Sequence, residues 1–460
     1  MSSEPQTAPG PRSGVASAAL LSTVGIGVQG AAKLVLTVVI GRVFGTEALG
    51  QSSALLSLAV FAALLWPSAA GNTASRSLAI AMRAGRSDTA VNRRLGVSML
   101  LSSVVLAALT VPVAIAWGNG PGTVLGGASV VVGYGLYVYA RGAQLGYDRP
   151  RRVAVWDALT SALTLALLVL ACVTRAEPVV LLPLGIGYTV FAVACWPRGT
   201  AGTAGQQPTR GVLRFAAWNV LAGLTTNGLL QLAMITAQVS ASRHDAGVYA
   251  AAFSLATPAS MVGQAVAQVV VPAFAHRAEE STLRSPGAWR FVAGFTAATA
   301  ALFGLVALLA DWFLPLFYPG EGAAAVADLR YLVLGVWVFT VSLVPAALLL
   351  AAGRSRQVAL ASVTGFVVGV VLMAVLAPTT GVAAGSTGFL VGSAVNLLAV
   401  VVLGLRRPTA RGRDRDRDRD RDRDRDRDRD DDASALDGLA AHPEHAREGG
   451  PADRDDDHRE

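Results

Sequence analysis

One lysine lies in the middle of a long apolar segment near the start of the sequence. Lys33 is the only lysine among 460 residues, and the apolar segment around it, residues 15–43, is long enough to cross a membrane. A charge at the centre of a membrane-spanning helix costs about 2.5–3.5 kcal/mol, so such a residue usually functions inside a protein-lined cavity. The alternative is that Lys33 extends to the membrane interface or pairs with a neighbouring helix. As a functional group, its ammonium offers a point charge for an anionic phosphate.

Polar side chains accompany this lysine at helical spacing. On an idealised helix one face carries Ser22, Gln29, Lys33 and Thr37. The seventh apolar segment carries a similar stripe of Asn227, Gln231 and Gln238, and the eighth has Gln264 and Gln268 one turn apart. Buried amides either join neighbouring helices by hydrogen bonds or line a polar cavity. We expect the stripes to line a cavity and to bind substrate.

Arginine and tyrosine residues form a second group of candidates toward one end of three segments. In the fourth and fifth segments the group consists of Tyr134, Tyr137, Arg141, Gln144, Trp156, Asp157, Thr160, Ser161 and Thr164. Arg141 and Asp157 either form a structural ion pair or make an anion-binding arginine whose charge is tuned by the carboxylate. Asn72 and Arg76, one turn apart in the second segment, are a weaker candidate of the same kind. We expect Tyr137, Arg141, Asp157, Asn72 and Arg76 to contribute to substrate binding.

Catalytic and metal-binding patterns are missing from the sequence. It contains neither a glycine-rich phosphate loop with a lysine nor a nucleophile elbow. The five histidines lie in loops or in the tail without metal-ligand spacing, and Cys172 and Cys195 suit small apolar fillers. The sequence therefore predicts a protein that is not an enzyme and needs no metal or cofactor.

The composition is that of a polytopic membrane protein, with 53% hydrophobic and 15% charged residues. We predict an all-α fold with twelve transmembrane helices, at about 15–43, 48–75, 95–117, 123–145, 153–173, 178–197, 212–240, 246–274, 288–317, 327–351, 357–377 and 381–404.

Arginines predict the orientation. The loops after the even-numbered spans carry sixteen arginines, whereas the opposite loops carry only Arg42, Arg175, Arg243 and Arg330. By the positive-inside rule, the even-numbered loops and both termini lie in the cytoplasm. Abundant Ala, Val and Gly, with arginine in place of lysine, suggest a bacterial protein, so we expect it in the bacterial plasma membrane.

Two halves of the sequence resemble each other weakly. Gly50 and Gly247 are 197 residues apart, and so are Ser57 and Ser254. Since each half has six spans, the halves enter the membrane from the same side as parallel repeats, which places a transport site between them. The 197-residue offset puts Leu230 at the position equivalent to Lys33, so the positive charge is expected on one side of the cavity only.

The repeat and the composition together predict five segments. These are a cytoplasmic N-terminal segment (1–14), a first six-helix bundle (15–197), a cytoplasmic linker (198–211), a second bundle (212–404) and a cytoplasmic tail (405–460). From Arg413 to Asp430 the tail repeats Arg-Asp, which predicts a disordered polyampholyte. Because residues 411–460 have a net charge of −6, we expect no nucleic-acid partner.

Several short motifs together resemble a known family. In the first half they are Arg42, the hairpin from Gly45 to Gly50 and Ser57-Leu58-Ala59; in the second they are Asp245 to Tyr249 and Val271 to Ala275. They resemble polysaccharide-biosynthesis flippases of the multidrug/oligosaccharidyl-lipid/polysaccharide exporter superfamily over roughly residues 14–404. Peptidoglycan-precursor flippases of that superfamily usually have fourteen spans, against the twelve expected here.

This resemblance implies two six-helix bundles around a central cavity lined by the first, second, seventh and eighth helices. Alternating inward and outward openings would move a lipid-linked oligosaccharide across the plasma membrane for surface polysaccharide synthesis. The implied partners are that substrate, membrane lipids, and a glycan polymerase or glycosyltransferases.

Two other functions are compatible with the sequence. A cation-coupled multidrug exporter of the same fold usually has an acidic residue deep in its cavity, and the sequence offers none there. A non-transporting scaffold would recruit glycan enzymes through the charged tail, so deletion of residues 406–460 would abolish its function but not that of a flippase.

Overall fold

The protein is built almost entirely of helices. The computed structural model describes residues 12–258, 286–351 and 354–406, and its helices up to Leu405 form one compact unit. The helices are α1 Arg12–Phe44, α2 Thr46–Leu65, α3 Pro67–Arg83, α4 Thr89–Ala116, α5 Pro121–Gly146, α6 Pro150–Val173, α7 Leu182–Ala194, α8 Val212–Gly223, α9 Leu229–Ser240, α10 243–258, α11 Pro286–Leu308, α12 Ala310–Phe317, α13 Val326–Ala351, α14 Ser355–Thr380 and α15 Ala383–Leu405.

Within the described residues, eleven helical segments are long and apolar enough to cross a membrane. A membrane-spanning helix satisfies its backbone hydrogen bonds internally, which is why apolar segments of this length fold as helices. The predicted eighth span begins in α10, and its remaining residues, with Gln264 and Gln268, lie outside the described part, as does most of the predicted tail. The protein is therefore an all-α, multi-pass membrane protein.

Four of the predicted spans are interrupted rather than continuous, and the sixth predicted span begins with a 3-10 turn, Glu177–Val179, ahead of α7. Pro67 separates α2 from α3, and α3 continues to Arg83, beyond the predicted end of the second span at residue 75. A π-helical turn, Leu224–Gly228, joins α8 to α9. There the hydroxyls of Thr225 and Thr226 donate to backbone carbonyls of the preceding turn, which competes with regular helical hydrogen bonding. The ninth span consists of α11 and α12.

Small residues allow close helix packing within each half. In the second half, α14 packs against α15, where Gly365 and Gly369 face Gly392 and Gly388. This spacing lets two membrane helices approach through their backbones. In the first half, α5 packs against α3, α4 and α7, and α1 packs against α6.

The two halves are in contact at Gly50 and Gly247, near the starts of α2 and α10. A Cβ atom at position 50 would lie 2.9 Å from the backbone nitrogen of Gly247, so the starts of α2 and α10 are in direct backbone contact. We call the surface formed by the α1–α2 connection at Gly45 and the α9–α10 connection at 241–242 the hairpin face. Residues 195–211, which join the halves at the other end of the helices, define the linker face.

The linker is fixed to the first half by side chains. The carboxylate of Asp88 accepts hydrogen bonds from the backbone nitrogen of Thr200 at 2.7 Å and from its hydroxyl at 3.0 Å. Asn92 donates to the carbonyl of Pro197, and the hydroxyl of Tyr147 donates to that of Arg198. Burial, together with the nearby Asp88 carboxylate, raises the pKa of Tyr147, so this phenol stays protonated as a donor.

Candidate functional site

A cavity of about 570 Å³ lies between the two halves. Helices α1, α2, α3, α5 and α7 line it from the first half, and α8, the π-helical turn, α9 and α10 line it from the second. Among the described residues, the charged side chains that line it are Lys33 and Arg141, both from the first half. Most of the other polar lining groups are hydroxyls and amides, which suit an extended hydrogen-bonding substrate.

Lys33 lies against tyrosine rings in this cavity. Its Nζ is 4.7 Å from the ring centroid of Tyr134 and 5.7 Å from that of Tyr188. A ring face attracts a cation by about 0.5–2 kcal/mol, depending on how far the pair is removed from water. Among the described residues, no carboxylate forms an ion pair with Lys33. The tyrosines therefore hold the ammonium without neutralising its charge.

Three tyrosines from two helices pack against one another beside Lys33, and we call Tyr134, Tyr137 and Tyr188 the aromatic cage. The ring centroid of Tyr188 on α7 lies 5.2 Å from that of Tyr134 and 4.9 Å from that of Tyr137, both on α5. Phe191 packs edge-on against Tyr137 at 4.7 Å. Offset and tilted ring pairs are the favourable arrangements for aromatic side chains, so the cage is a packed element of the first half.

Arg141, by contrast, is paired with a carboxylate. Its Nε lies 3.4 Å from Oδ2 of Asp157, which is fully buried on α6. The hydroxyl of Tyr137 donates to Oδ1 of Asp157 at 3.0 Å, and the side-chain amide of Gln29 donates to its backbone carbonyl at 3.3 Å. The ion-pair alternative for these residues is therefore present in the structure. Since Arg141 and Asp157 compensate each other, the net positive charge of the described lining comes from Lys33.

Most of the remaining predicted residues of α1, the π-helical turn and α9 also reach the cavity, among them Gln29. Thr37 lines it, and its hydroxyl donates to the backbone carbonyls of Leu34 and Lys33. Asn227 and Gln231 line the opposite side. Leu230, the pseudo-symmetric counterpart of Lys33, lines the cavity as well. Among the described lining residues, the positive charge therefore lies on the side of the first half.

The predicted residues Asn72, Arg76 and Gln238 differ in whether they line the cavity. Asn72 is exposed and lines the cavity, whereas the exposed side chain of Arg76 stacks over the ring of Phe215 at 4.7 Å. Gln238 lies outside the lining, near the end of α9, and its Oε1 has no hydrogen-bond partner. Asp157 lies behind Arg141 and not in the lining itself.

Sequence reasoning misses two elements of the site. Tyr188 and the neighbouring Thr189 are the polar residues of a mainly apolar helix, and this is the only signal that the sequence gives for Tyr188. Ser57 and Ser254 are equivalent by the repeat, and both line the cavity. Their positions in the two halves could have marked them as lining residues once the repeat was recognised.

Among the described residues, the lining of the cavity is buried near the hairpin face and more exposed toward the linker face. Close to the hairpin face its lining is buried, with Ser53, Ser57 and Ser254 at most 7% exposed. Nearer the linker face, Asn72 and Thr226 are exposed. This polar cavity between two helical halves of a membrane protein is therefore the candidate functional site.

Solved structures identify the fold. A structure of the lipid II flippase MurJ in an inward closed conformation has a TM-score of 0.66 at 10% identity, covering 85% of this chain and 88% of that one. An inward-facing multidrug resistance transporter of the MATE family in the MOP superfamily gives 0.62 at 14% identity, covering 83% and 97%. An outward-facing MATE family transporter gives 0.57 at 13% identity, covering 86% and 95%.

The sequence matches no family model and no curated protein. At these identities the structural likeness defines the fold and not the substrate. The protein has the fold seen in these structures of MOP superfamily transporters and of the lipid II flippase.

Proposed function

We propose that the protein flips a lipid-linked oligosaccharide, carried on a polyprenyl pyrophosphate, from the inner to the outer leaflet of the bacterial plasma membrane. The exported glycan would serve cell-surface polysaccharide synthesis, with a polymerase or glycosyltransferases as protein partners. The observation that carries this proposal is the ammonium of Lys33, which has no carboxylate partner among the described residues and lies in a cavity lined mainly by uncharged polar groups. An anionic phosphate is the ligand that such a charge attracts.

The headgroup contacts follow from the distribution of charge. Lys33 binds the pyrophosphate from the first half, with Arg141 as a second, partly compensated cation. Asn227 and Gln231, with the hydroxyls of the second half, contact the sugar. The lipid tail stays in the bilayer. Asn72 and Arg76 lie toward the linker face, where the headgroup would enter.

The proposed architecture completes the described helices. Helix α10 begins a further span, which gives twelve spans in two parallel six-helix bundles, 15–197 and 212–404, joined by 198–211. The contact between Gly50 and Gly247, equivalent residues of the two halves, supports a pseudo-twofold axis along the membrane normal at this point. The linker face and both termini, including the tail from 405, are then cytoplasmic.

A vesicle assay tests the proposal. The purified protein is reconstituted with a fluorescent polyprenyl-pyrophosphate disaccharide, and dithionite is added to destroy the fluorescence of probe in the outer leaflet. We expect protein-containing vesicles to lose much more fluorescence than protein-free vesicles, because probe from the inner leaflet becomes accessible. Equal losses in both preparations would contradict the proposed activity.

Multidrug export is the second candidate, and it is favoured by the MATE family likeness of the fold. In this protein the carboxylate of Asp157, which lies behind the lining residue Arg141, is engaged by Arg141 and Tyr137. We therefore expect no gradient-driven uptake of a cationic dye such as ethidium into the same vesicles. Uptake of the dye without flipping of the glycan probe would favour the exporter.

Substitution of Tyr188 tests the aromatic cage. Tyr188→Phe keeps the ring face beside Lys33 and should retain nearly the full flipping rate. Tyr188→Leu removes the cation–π contact and should lower the rate about 2- to 30-fold, the equivalent of the energy of one such contact. The comparison of the two variants in the vesicle assay separates the effect of the aromatic ring on the flipping rate from that of the hydroxyl. Equal activity of the leucine variant and the wild type would show that the cage does not position Lys33.

A further inference from the structure

Two arginines on the hairpin face cross from one half of the protein to the other. The guanidinium of Arg42, at the end of α1, donates from Nε to the backbone carbonyl of Phe317 at 2.8 Å and from Nη2 to that of Leu316. These carbonyls belong to the last turn of α12. Arg42 therefore joins the first half to the end of a helix in the second.

Arg243 makes the reciprocal contact. It begins α10 in the second half, and its Nη2 donates to the backbone carbonyl of Gly118 at 3.2 Å. Gly118 lies two residues beyond Ala116, the last residue of α4 in the first half. Each arginine thus comes from the connection between the first two spans of its own half and reaches the end of the third span of the other.

The chemistry of the two contacts is similar, since each guanidinium donates to a backbone carbonyl, within the last turn of α12 for Arg42 and just beyond the end of α4 for Arg243. The last carbonyls of a helix have no partner within the helix and form the negative end of its dipole. A guanidinium presents several N–H donors and keeps its charge at all physiological pH values, so it suits these carbonyls. Two unrelated surface contacts would not be expected to share donor, acceptor and position in the repeat.

Between the two arginines lies the closed contact of Gly50 with Gly247. The buried end of the cavity lies directly below it, at Ser53 and Ser254. To open the cavity at this face, α2 must separate from α10. That movement pulls each arginine away from the helix end that it contacts in the other half.

We infer that Arg42 and Arg243 are a pair of pseudo-symmetric latches that hold the hairpin face closed. They stabilise the conformation open to the linker face and must be released before the cavity opens on the opposite side. The latches contact neither the aromatic cage nor the amide stripes, so they act on the conformational equilibrium and not on substrate recognition. This inference rests on the alternating-access part of the proposed function but not on the identity of the substrate.

Spin-label distances test the latches without any substrate. Cys172 and Cys195 are first replaced by alanine. Label pairs are then placed on exposed residues of opposite halves, at Glu47 and Ala323 for the hairpin face and at Arg83 and Arg214 for the linker face. We expect Arg42→Ala and Arg243→Ala each to raise the population with a separated hairpin face about three- to tenfold, from charged hydrogen bonds at an exposed helix end. The double variant should show about the product, with a matching closure at the linker face.

Arg330→Ala is the matched control. Arg330 bonds the carbonyl of Ala307 and the carboxylate of Asp311, all within the second half. Its removal should leave both distance distributions unchanged. A double latch variant with wild-type distances, or an equal shift in Arg330→Ala, would overturn the inference.

Lysine variants test the latches if the alanine variants do not fold. If the alanine variants do not yield monodisperse protein, Arg42→Lys and Arg243→Lys keep the charge, lose the forked donors and should shift the distances in the same direction by less. Wild-type distances in the lysine variants would overturn the inference in that case.

The distances and the flipping assay together separate the two proposals. Shifted distances in a protein that does not flip the glycan probe would support the latches and reject the glycan as substrate. Unshifted distances in an active flippase would reject the latches alone.

Discussion

Lys33→Met is expected to lower the rate of glycan flipping about 100-fold while leaving the protein folded in the membrane. Methionine is unbranched, similar in length and apolar, so it occupies the same space against Tyr134 and Tyr188 without the charge. Loss of one partner from a desolvated charge pair costs about 2–5 kcal/mol, which corresponds to this reduction. Flipping rates in vesicles, normalised to the amount of reconstituted protein, measure the effect.

Two variants of the same helix control this prediction. Lys33→Arg keeps a cation at the cage and should remain within about tenfold of the wild type, since the headgroup still meets a positive charge. Val35→Met introduces the same methionine at an exposed position and should have no effect on flipping. A Lys33→Met protein that flips the probe at the wild-type rate would exclude Lys33 as the phosphate-binding group.

Asp157→Ala is expected to destabilise the first half by about 3–5 kcal/mol, the usual cost of removing one member of a buried ion pair. The carboxylate is fully buried and accepts hydrogen bonds from Arg141 and Tyr137. Its removal deprives the guanidinium of Arg141, which is 14% exposed, of this carboxylate and the tyrosine hydroxyl of this acceptor. Thermal unfolding of the purified protein in detergent should show a clearly lower melting temperature.

The matched variants divide this loss between the two contacts. Tyr137→Phe removes one neutral donor and should cost about 1 kcal/mol. The double variant Arg141→Met, Asp157→Leu replaces the ion pair with apolar side chains and should recover most of the stability, because no buried charge is left unpaired. An Asp157→Ala protein that melts at the wild-type temperature would show that the pair does not stabilise the first half.

Much of the site follows from helical periodicity. The polar faces around Lys33 and around Gln231 lie on helices whose other faces are apolar, and the structure directs both toward one cavity. The repeat offset also identifies Leu230 as the uncharged counterpart of Lys33. These are local or periodic properties, which a single sequence displays directly.

Depth along a helix and contacts between distant helices are harder to predict. Gln238 continues the stripe of Gln231, but it lies close to the end of α9 at the hairpin face, where the halves have already closed. Arg76 is one helical turn from Asn72, as the prediction of a shared face requires, yet its guanidinium stacks on the ring of Phe215 on α8. Both outcomes depend on which helices lie opposite, and periodicity contains no information on that.

Some breaks in the helices can be predicted from the sequence and others cannot. Pro67 marks an interruption of the second span, but only the structure shows that α3 then extends to Arg83. The π-helical turn between α8 and α9 has no such marker, because Thr225 and Thr226 are also compatible with a regular membrane helix. The aromatic cage is likewise invisible in the sequence, since Tyr188 and Tyr134 are brought together only by the packing of α7 on α5.

The central claim is that the cavity recognises the negative charge of the lipid carrier through Lys33. The most direct measurement compares two probes in the same vesicles: a disaccharide on polyprenyl pyrophosphate, and the same disaccharide on an uncharged polyprenyl ether. We expect that the wild-type protein flips the pyrophosphate probe at least tenfold faster, and that Lys33→Met removes this preference. Equal rates for the two probes with the wild-type protein would contradict it.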